Sequence, residues 1–359
     1  MSHIHIERLS KSYRDLNALT EVDLNVEPRS FTVFCGPPGS GKSVLMRLII
    51  GLEVPTSGRI YVDGEDITDL PAAARRIGYV PQSFALFPHM SVFDNVAYPM
   101  RLQGVPRAEI VVRVRQAAEM LRIGALLQKR PSQLSGGEKQ RAAIARGILK
   151  NAEIFILDDP LVGLDFKLRE SLMDDLKDLR AELDTTFLYV TSDSLEALAM
   201  AENLVVMDAG RVLQSGPVED VYRQPSFLRS AELIGFPRCN VLTGRVEGGY
   251  CSTAVGRFPV SLDHGSGDVS VVIRPEGIAY EPREPASAGD IRLIENLGAE
   301  SVVYFDTGKE TLVTTAPTRL VAGLDIGGRF PFVLRPSGVL FYDVTTGGFL
   351  GRAAEAAGA

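Results

Sequence analysis

A chain of 359 residues is too long for one typical domain, so two are expected. With 45% hydrophobic and 23% charged residues it has an ordinary globular composition, able to bury a core without disulfides or metals. Its net charge of -7 excludes the basic field that nonspecific nucleic-acid binding needs to displace counterions, and no nucleic-acid partner is expected. Cys35, Cys239 and Cys251 fit neither a disulfide framework nor close zinc-ligand spacing. Cys35 lies in an apolar run and reads as a small buried thiol. The start, Met1-Ser2-His3-Ile4, lacks the layout of a signal peptide. The most apolar stretches, such as 44–52, are interrupted by charge and too short to span a bilayer. If the protein works at a membrane, other chains supply the spans.

In chain order, 31–35 is a continuous apolar run and predicts a strand buried on both faces. Helical spacing follows at 108–127, another buried-strand run at 154–157, and a second helix at 168–183. Further strand-like runs occupy 187–190 and 204–207. Apolar runs alternating with helical patterns predict an α/β fold with a largely parallel sheet. From about Phe236 the texture changes to short β-rich runs at 269–273, 301–305 and 332–334, punctuated by glycine, proline and aspartate. That pattern predicts a small all-β barrel. The small, polar residues 351–359 predict a frayed tail.

The strongest chemical signal is Gly36-Pro37-Pro38-Gly39-Ser40-Gly41-Lys42-Ser43, a complete G-x-x-x-x-G-K-S between a predicted strand and a helix. Glycines let backbone amides turn inward around phosphate, and the helix N-terminus adds its dipole. In such a loop Lys42 reaches the β- and γ-phosphates of ATP, and the Ser43 hydroxyl ligates Mg²⁺. Asp158, ending the run 154–157, supplies the acidic residue that a metal-bound nucleotide needs at the tip of a neighbouring strand. Ser135-Gly136-Gly137 opens a helix and offers a second anion-binding turn on the same chain.

Together with the phosphate loop, Leu134-Ser135-Gly136-Gly137-Glu138-Lys139-Gln140-Arg141 resembles the signature of the ABC ATPase family. The resemblance implies a P-loop ABC ATPase domain over 1–235 with a helical subdomain at about 85–150. A C-terminal β-barrel regulatory domain, OB-like and transport-associated, is implied over 236–350. In the family two ATPs are sandwiched between two ATPase subunits, the signature of one covering the γ-phosphate held by the other. By resemblance Tyr13 stacks on adenine, and Gly36, Pro37, Gly39, Ser40 and Gly41 cradle phosphate with Lys42 and Ser43. Gln82 contacts Mg²⁺ and the attacking water, and Asp165 belongs to the loop joining the two sites. The segment Phe84-Ala85-Leu86-Phe87-Pro88-His89 resembles the surface that grips membrane subunits; buried core is the alternative. Val272-Ile273-Arg274-Pro275-Glu276, 294–300 and 341–347 resemble the tail of importer ATPases, above all the maltose-type carbohydrate importers. The implied partners are a second ATPase subunit, two membrane-spanning permease subunits and, indirectly, a solute-binding protein. The implied location is the cytoplasmic face of the cell membrane, and the implied solute is a carbohydrate or a polyol such as glycerol.

Two positions depart from the family. Where members usually carry the glutamate that activates water, this chain has Asp159; where they carry the histidine that contacts γ-phosphate, it has Ser192. Aspartate is one methylene shorter, a shortfall of roughly 1 Å that can cost about a hundredfold. Losing a donor aimed at developing charge typically costs about 2.7–4 kcal/mol. The expected arrangement is a weak site in this chain paired with a different, competent ATPase. A homodimer in which Asp159 serves as a slower base, or a module that holds ATP without turnover, remains open.

Overall fold

Two long strands, β1 (Ile4–Tyr13) and β2 (Leu16–Val26), open the chain as an antiparallel hairpin whose inward residues alternate with outward ones. The structure is a computed structural model that describes residues 3–150, 152–183, 185–260 and 266–354. It divides into two compact units, Met1–Val218 and Glu219–Ala359.

In the first unit, β3 (Phe31–Cys35) is buried at every position, as an apolar run covered on both faces must be. It leads into α1 (Lys42–Ile50), after which β4 (Ser57–Val62) and β5 (Glu65–Asp66) extend the opening hairpin into a sheet ordered β2-β1-β4-β5. The strands β6 (Ile77–Val80), β7 (Ile154–Asp158), β8 (Thr186–Thr191), β9 (Asn203–Asp208) and β10 (Arg211–Pro217) complete the second sheet. Its order is β10-β9-β3-β8-β7-β6, parallel throughout except for β10. Ile4, Ile6 and Leu24 from one sheet, Phe34, Ile156 and Val190 from the other, and Leu45, Leu48 and Ile49 of α1 share one core.

A helical insert separates β6 from β7. It contains α2 (Val92–Leu102), α3 (Arg107–Met120) and α4 (Gly136–Ile148). The helix predicted over 108–127 stops at Met120, because Arg122 turns to a φ of 54° and a short 3₁₀ turn, Gly124–Leu126, follows. After β7, α5 (Phe166–Glu182) is capped by Asp165 and α6 (Ser194–Met200) by Asp193.

The second unit begins ahead of the change in texture at Phe236. The short helices α7 (Val218–Arg223) and α8 (Leu228–Leu233) read as part of the α/β region by composition. Their carbonyls, however, are held by β-unit side chains: Arg274 donates to Tyr222, Ala231 and Ile234, and the Tyr342 hydroxyl to Pro225. The strands that follow are β11 (Asn240–Glu247), β12 (Tyr250–Thr253), β13 (Arg257–Pro259), β14 (Gly267–Ile273), β15 (Ile278–Tyr280), β16 (Ser287–Asn296), β17 (Glu300–Asp306) and β18 (Thr311–Pro317). Last come β19 (Arg329–Leu334), β20 (Val339–Asp343) and β21 (Phe349–Arg352). They form two antiparallel sheets, β13-β12-β11-β14-β20-β21 and β15-β19-β16-β17-β18. Phe305, Phe330, Phe332 and Phe341 fill the core between them. The tail expected from 351 is not found over 351–354. Gly351 and Arg352 pair with β20, Ala353 is buried beside Val260, and Ala354 donates to the Pro259 carbonyl. Residues 355–359 lie outside the described ones.

Candidate functional site

The loop between β3 and α1 is shaped by its glycines. Gly39 and Gly41 have φ values of +81° and +99°, which other residues rarely adopt. A Cβ on Gly36 would stand 2.0 Å from the Met207 carbonyl oxygen. Lys42 curls over the loop: its Nζ donates to the carbonyls of Gly36 at 2.7 Å and Pro37 at 3.0 Å, and to Ser40 Oγ at 3.2 Å. Burial holds the Lys42 ammonium below its ordinary pKa, against the raising pull of Asp159, Cys35 and Asp158. A loop whose lysine is satisfied by the loop's own carbonyls is a preformed anion cradle, since an arriving phosphate exchanges those bonds for stronger charge-assisted ones.

At the tip of β7, Asp158 accepts from Ser43 Oγ at 3.1 Å and from the Tyr79 hydroxyl at 3.2 Å. Burial and the Asp158 charge raise the Tyr79 phenol, so it stays a donor. The hydroxyl of Ser43 and the carboxylate of Asp158 are hard oxygen donors side by side, the set that magnesium takes.

Asp159 follows in the left-handed region, φ 46°, its backbone N–H bonded to Val190 at 3.0 Å. Its carboxyl is raised by burial first and by Asp158 second, and lowered by Lys42 and by the facing backbone N–H of Ser192. Tyr13, the loop residues from Pro38 to Ser43, Gln82, Asp159 and Ser192 line one cavity of about 790 Å³. Sequence positions from 13 to 192 thus meet in one place. Tyr13 is 38% exposed, with the Lys11 ammonium 5.0 Å from its ring centroid and its hydroxyl bonded to Glu53.

Ser135, Gly136, Gly137 and Asp165 do not line that cavity. Ser135 caps α4 in a reciprocal box: its Oγ accepts from the Glu138 N–H, and Glu138 Oε2 accepts from the Ser135 N–H at 2.7 Å. Asp165 caps α5, accepting from the Leu168 N–H at 3.0 Å.

Sequence reasoning missed a buried polar cluster behind the cavity. Glu196 accepts from the Tyr189 hydroxyl, and both side chains are buried. Burial pushes the Glu196 carboxyl up to about 7; Arg169 lowers it and Asp159 raises it. Arg169 on α5 donates to Asp193 at 3.0 Å, linking the helix after Asp165 to the cap beside Ser192. A glutamate on the apolar face of α6 was the signal available.

The segment from Phe84 to His89 is neither core nor loose loop. Phe84 and Ala85 have positive φ, their carbonyls are fixed by Arg146, and Phe87 packs on Tyr98 at 4.8 Å. Phe87, Tyr79, Tyr98 and Leu102 line an open groove of about 700 Å³.

A glycine cradle on a parallel sheet, a carboxylate at the next strand tip, and a capped Ser-Gly-Gly on a helical insert define a P-loop ATPase. Comparison with known proteins narrows the class. Residues 19–162 match the family model for ABC transporters. The sn-glycerol-3-phosphate import ATP-binding protein UgpC of Ralstonia nicotianae is 35% identical, over 96% of this chain and 98% of the relative. That of Rhodopseudomonas palustris is 39% identical over 85% of this chain and 83% of the relative. Among solved structures, the ATP-binding cassette MJ0796, dimeric and bound to ADP and Pi, aligns over 60% of this chain and 98% of its own at a TM-score of 0.55 and 30% identity. The chain belongs to the ABC transporter ATP-binding family: it binds ATP and couples its hydrolysis to transport. Among the described residues no helix is long and apolar enough to cross a membrane.

Proposed function

We propose that the chain is the ATP-binding subunit of an importer for a phosphorylated polyol of the sn-glycerol 3-phosphate type. The full-length likeness to proteins named for that import supports the solute class and narrows the sugar or polyol expected from sequence. Tyr13 stacks on adenine, Gly36 to Ser43 hold the phosphates, and Ser43, Gln82 and Asp158 hold magnesium. Bound magnesium neutralises charge building on the transferred phosphoryl group. Permease subunits supply the membrane spans and seat in the groove beside Phe87, on the cytoplasmic face. The β-rich unit is regulatory.

The site binds nucleotide but turns it over slowly, and the working assembly pairs this chain with a non-identical ATPase. One observation carries this reading. Asp159 and Ser192 line the nucleotide cavity, and by resemblance they stand where family members usually carry glutamate and histidine. The shorter carboxylate stops short of the water, and Ser192 offers no cation to the γ-phosphate. A second reading also has an observation in its favour. Burial and Asp158 raise the Asp159 carboxyl, the direction that strengthens a base, which suits a homodimer with a slow but sufficient site.

The complex purified with its permease subunits separates the two. Intact mass should show one copy of this chain and one of another ATPase. Substituting Asp159→Glu with Ser192→His should raise turnover severalfold. Two copies of this chain, with turnover falling in the substituted complex, would establish the homodimer. Uptake of labelled sn-glycerol 3-phosphate by the reconstituted complex tests the solute, and uptake of glycerol alone would refute it.

A further inference from the structure

Within the second unit, four guanidinium groups from four separate segments converge on a recess of about 340 Å³. They are Arg223 at the end of α7, Arg274 after β14, Arg335 after β19 and Arg352 at the end of β21. In a chain of net charge -7 this gathering is not what composition alone would give.

Arg274 is the fixed floor. It is 5% exposed, lies 4.2 Å over the Tyr222 ring, and donates only to neutral carbonyls, those of Tyr222, Ala231 and Ile234. Its charge is therefore buried without a bonded counter-ion. The outer three are little neutralised. Arg335 makes no side-chain hydrogen bond or ion pair among the described residues, and Arg352 donates to the uncharged Gln224 amide at 3.1 Å. Arg223 meets Glu219 at 3.6 Å with both side chains about three-quarters exposed, a pair worth little. Among the described residues the only acid in the lining is Glu276, and it accepts from the Tyr222 hydroxyl at 2.9 Å. Ser337 adds a hydroxyl.

Four like charges facing one carboxylate repel one another, and a concave wall focuses their field on the space between them. Guanidinium forks match the oxygens of a phosphate group and bind it through paired charge-assisted bonds. The volume sits at the small end of ligand sites, which run from about 300 to 1,000 Å³, and suits a small anion rather than an acidic peptide. We infer that this recess binds a small phosphate-bearing anion, with Arg335, Arg352 and Ser337 as its contacts and Arg274 as the buried charge beneath. Inorganic phosphate and a phosphomonoester carry the same recognisable group.

Calorimetric titration of the full-length chain tests the site. The Lys42→Ala background removes the phosphate loop's own claim on phosphate, and the probes are inorganic phosphate, sn-glycerol 3-phosphate and glycerol. Saturable binding of at least one phosphate probe, but not of glycerol, is expected. It should weaken at least about tenfold when Arg335→Ala and Arg352→Ala are added, and by less in Arg335→Lys. The melting temperature without ligand should be unchanged, since both side chains are exposed. Equal affinity for the two probes identifies inorganic phosphate as sufficient, and preference for the ester identifies the ester. Absence of saturable binding of either phosphate probe, or binding untouched by the double substitution, overturns the site. None of these results depends on which solute is transported or on the second ATPase.

Discussion

A β-carbon on Gly137 would stand 2.3 Å from the side chain of Leu168, so the turn that opens α4 and the helix that follows Asp165 touch as closely as two backbones with one side chain between them allow. The same helices are joined by Arg141 and the buried Asp175 at 2.8 Å. Gly137→Ala should therefore displace Leu168 and with it the start of α5. We expect a loss of about 1–3 kcal/mol in stability and a larger fall in turnover of the assembled complex than in nucleotide affinity. Adding Leu168→Ala should restore part of the turnover. Chemical denaturation and steady-state hydrolysis of the two variants measure this, and unaltered turnover in Gly137→Ala would show the contact to be slack.

Lys42 is bonded to two carbonyls and a hydroxyl of its own loop, all within 3.2 Å. Removing the ammonium takes away the charge that phosphate would meet but leaves the glycine geometry in place. Lys42→Ala should lose ATP binding by about a hundredfold or more, with the circular dichroism spectrum unchanged. Retained affinity, measured by equilibrium dialysis, would refute the assignment of the loop.

How much of this is legible in the sequence depends on range. The strand Phe31–Cys35, the loop after it and the aspartate ending β7 declare themselves because each is a short run with one chemical reason for its composition. The capping box at Ser135 is equally local. What is hidden depends on distant partners. Nothing in apolar spacing tells that the chain turns at Arg122, or that the helices around Tyr222 and Ala231 are tied to the β-rich unit by one arginine 40 and more residues on. Glu196 stands on the buried face of its short helix, but its partner, the Tyr189 hydroxyl, lies on a strand that spacing along the helix does not reveal. The end of the chain is disguised because Gly351, Ala353 and Ala354 read as a loose tail, whereas Gly351 pairs with Phe341 and Ala353 bridges Val260.

Glu196 gives a pH dependence with a definite sign. Its carboxyl titrates near 7 in the folded chain against an ordinary 4.5, so between those values the folded state holds more protons than the unfolded one. Stability from this group is complete below about pH 4.5 and is lost as pH rises through 7, by roughly 3 kcal/mol at most. Glu196→Gln keeps an acceptor for the Tyr189 hydroxyl and removes the titration. Thermal melts from pH 5 to 8 should show wild type falling more steeply than the variant. Parallel curves would mean that Glu196 is ionised in the folded chain throughout.

Phe87 holds one wall of an open groove, packed on Tyr98 and covered by Arg146 at 5.7 Å. Phe87→Asp should weaken capture of the permease subunits while leaving ATP affinity within about twofold, because Phe87 does not line the nucleotide cavity. Co-purification and nucleotide binding read the two effects separately. Loss of soluble folded chain, with Phe87→Leu also unstable, would assign the residue to the core instead.

The functional asymmetry is open to a direct comparison of two substitutions. In this chain Ser135 closes a capping box away from the cavity that holds Lys42, so the anion-facing end of α4 is available to another subunit's nucleotide. Asp159 and Ser192 line this chain's own cavity, and on the proposed reading they replace a longer carboxylate and a histidine. If a second ATPase carries the competent pair, most hydrolysis occurs where its phosphate loop meets Ser135, Gly136 and Gly137 of this chain. Ser135→Arg then places bulk and a misplaced charge against the reacting phosphate and should cut turnover by about a hundredfold or more. Asp159→Asn should cost less than about threefold, because its site contributes little to begin with. The measurement is steady-state hydrolysis by the purified complex carrying each substitution alone, with ATP affinity of this chain checked in both. Equal silencing by the two would make Asp159 the working base, and the shorter carboxylate would then have to reach its water through a closed geometry tighter than the one seen here.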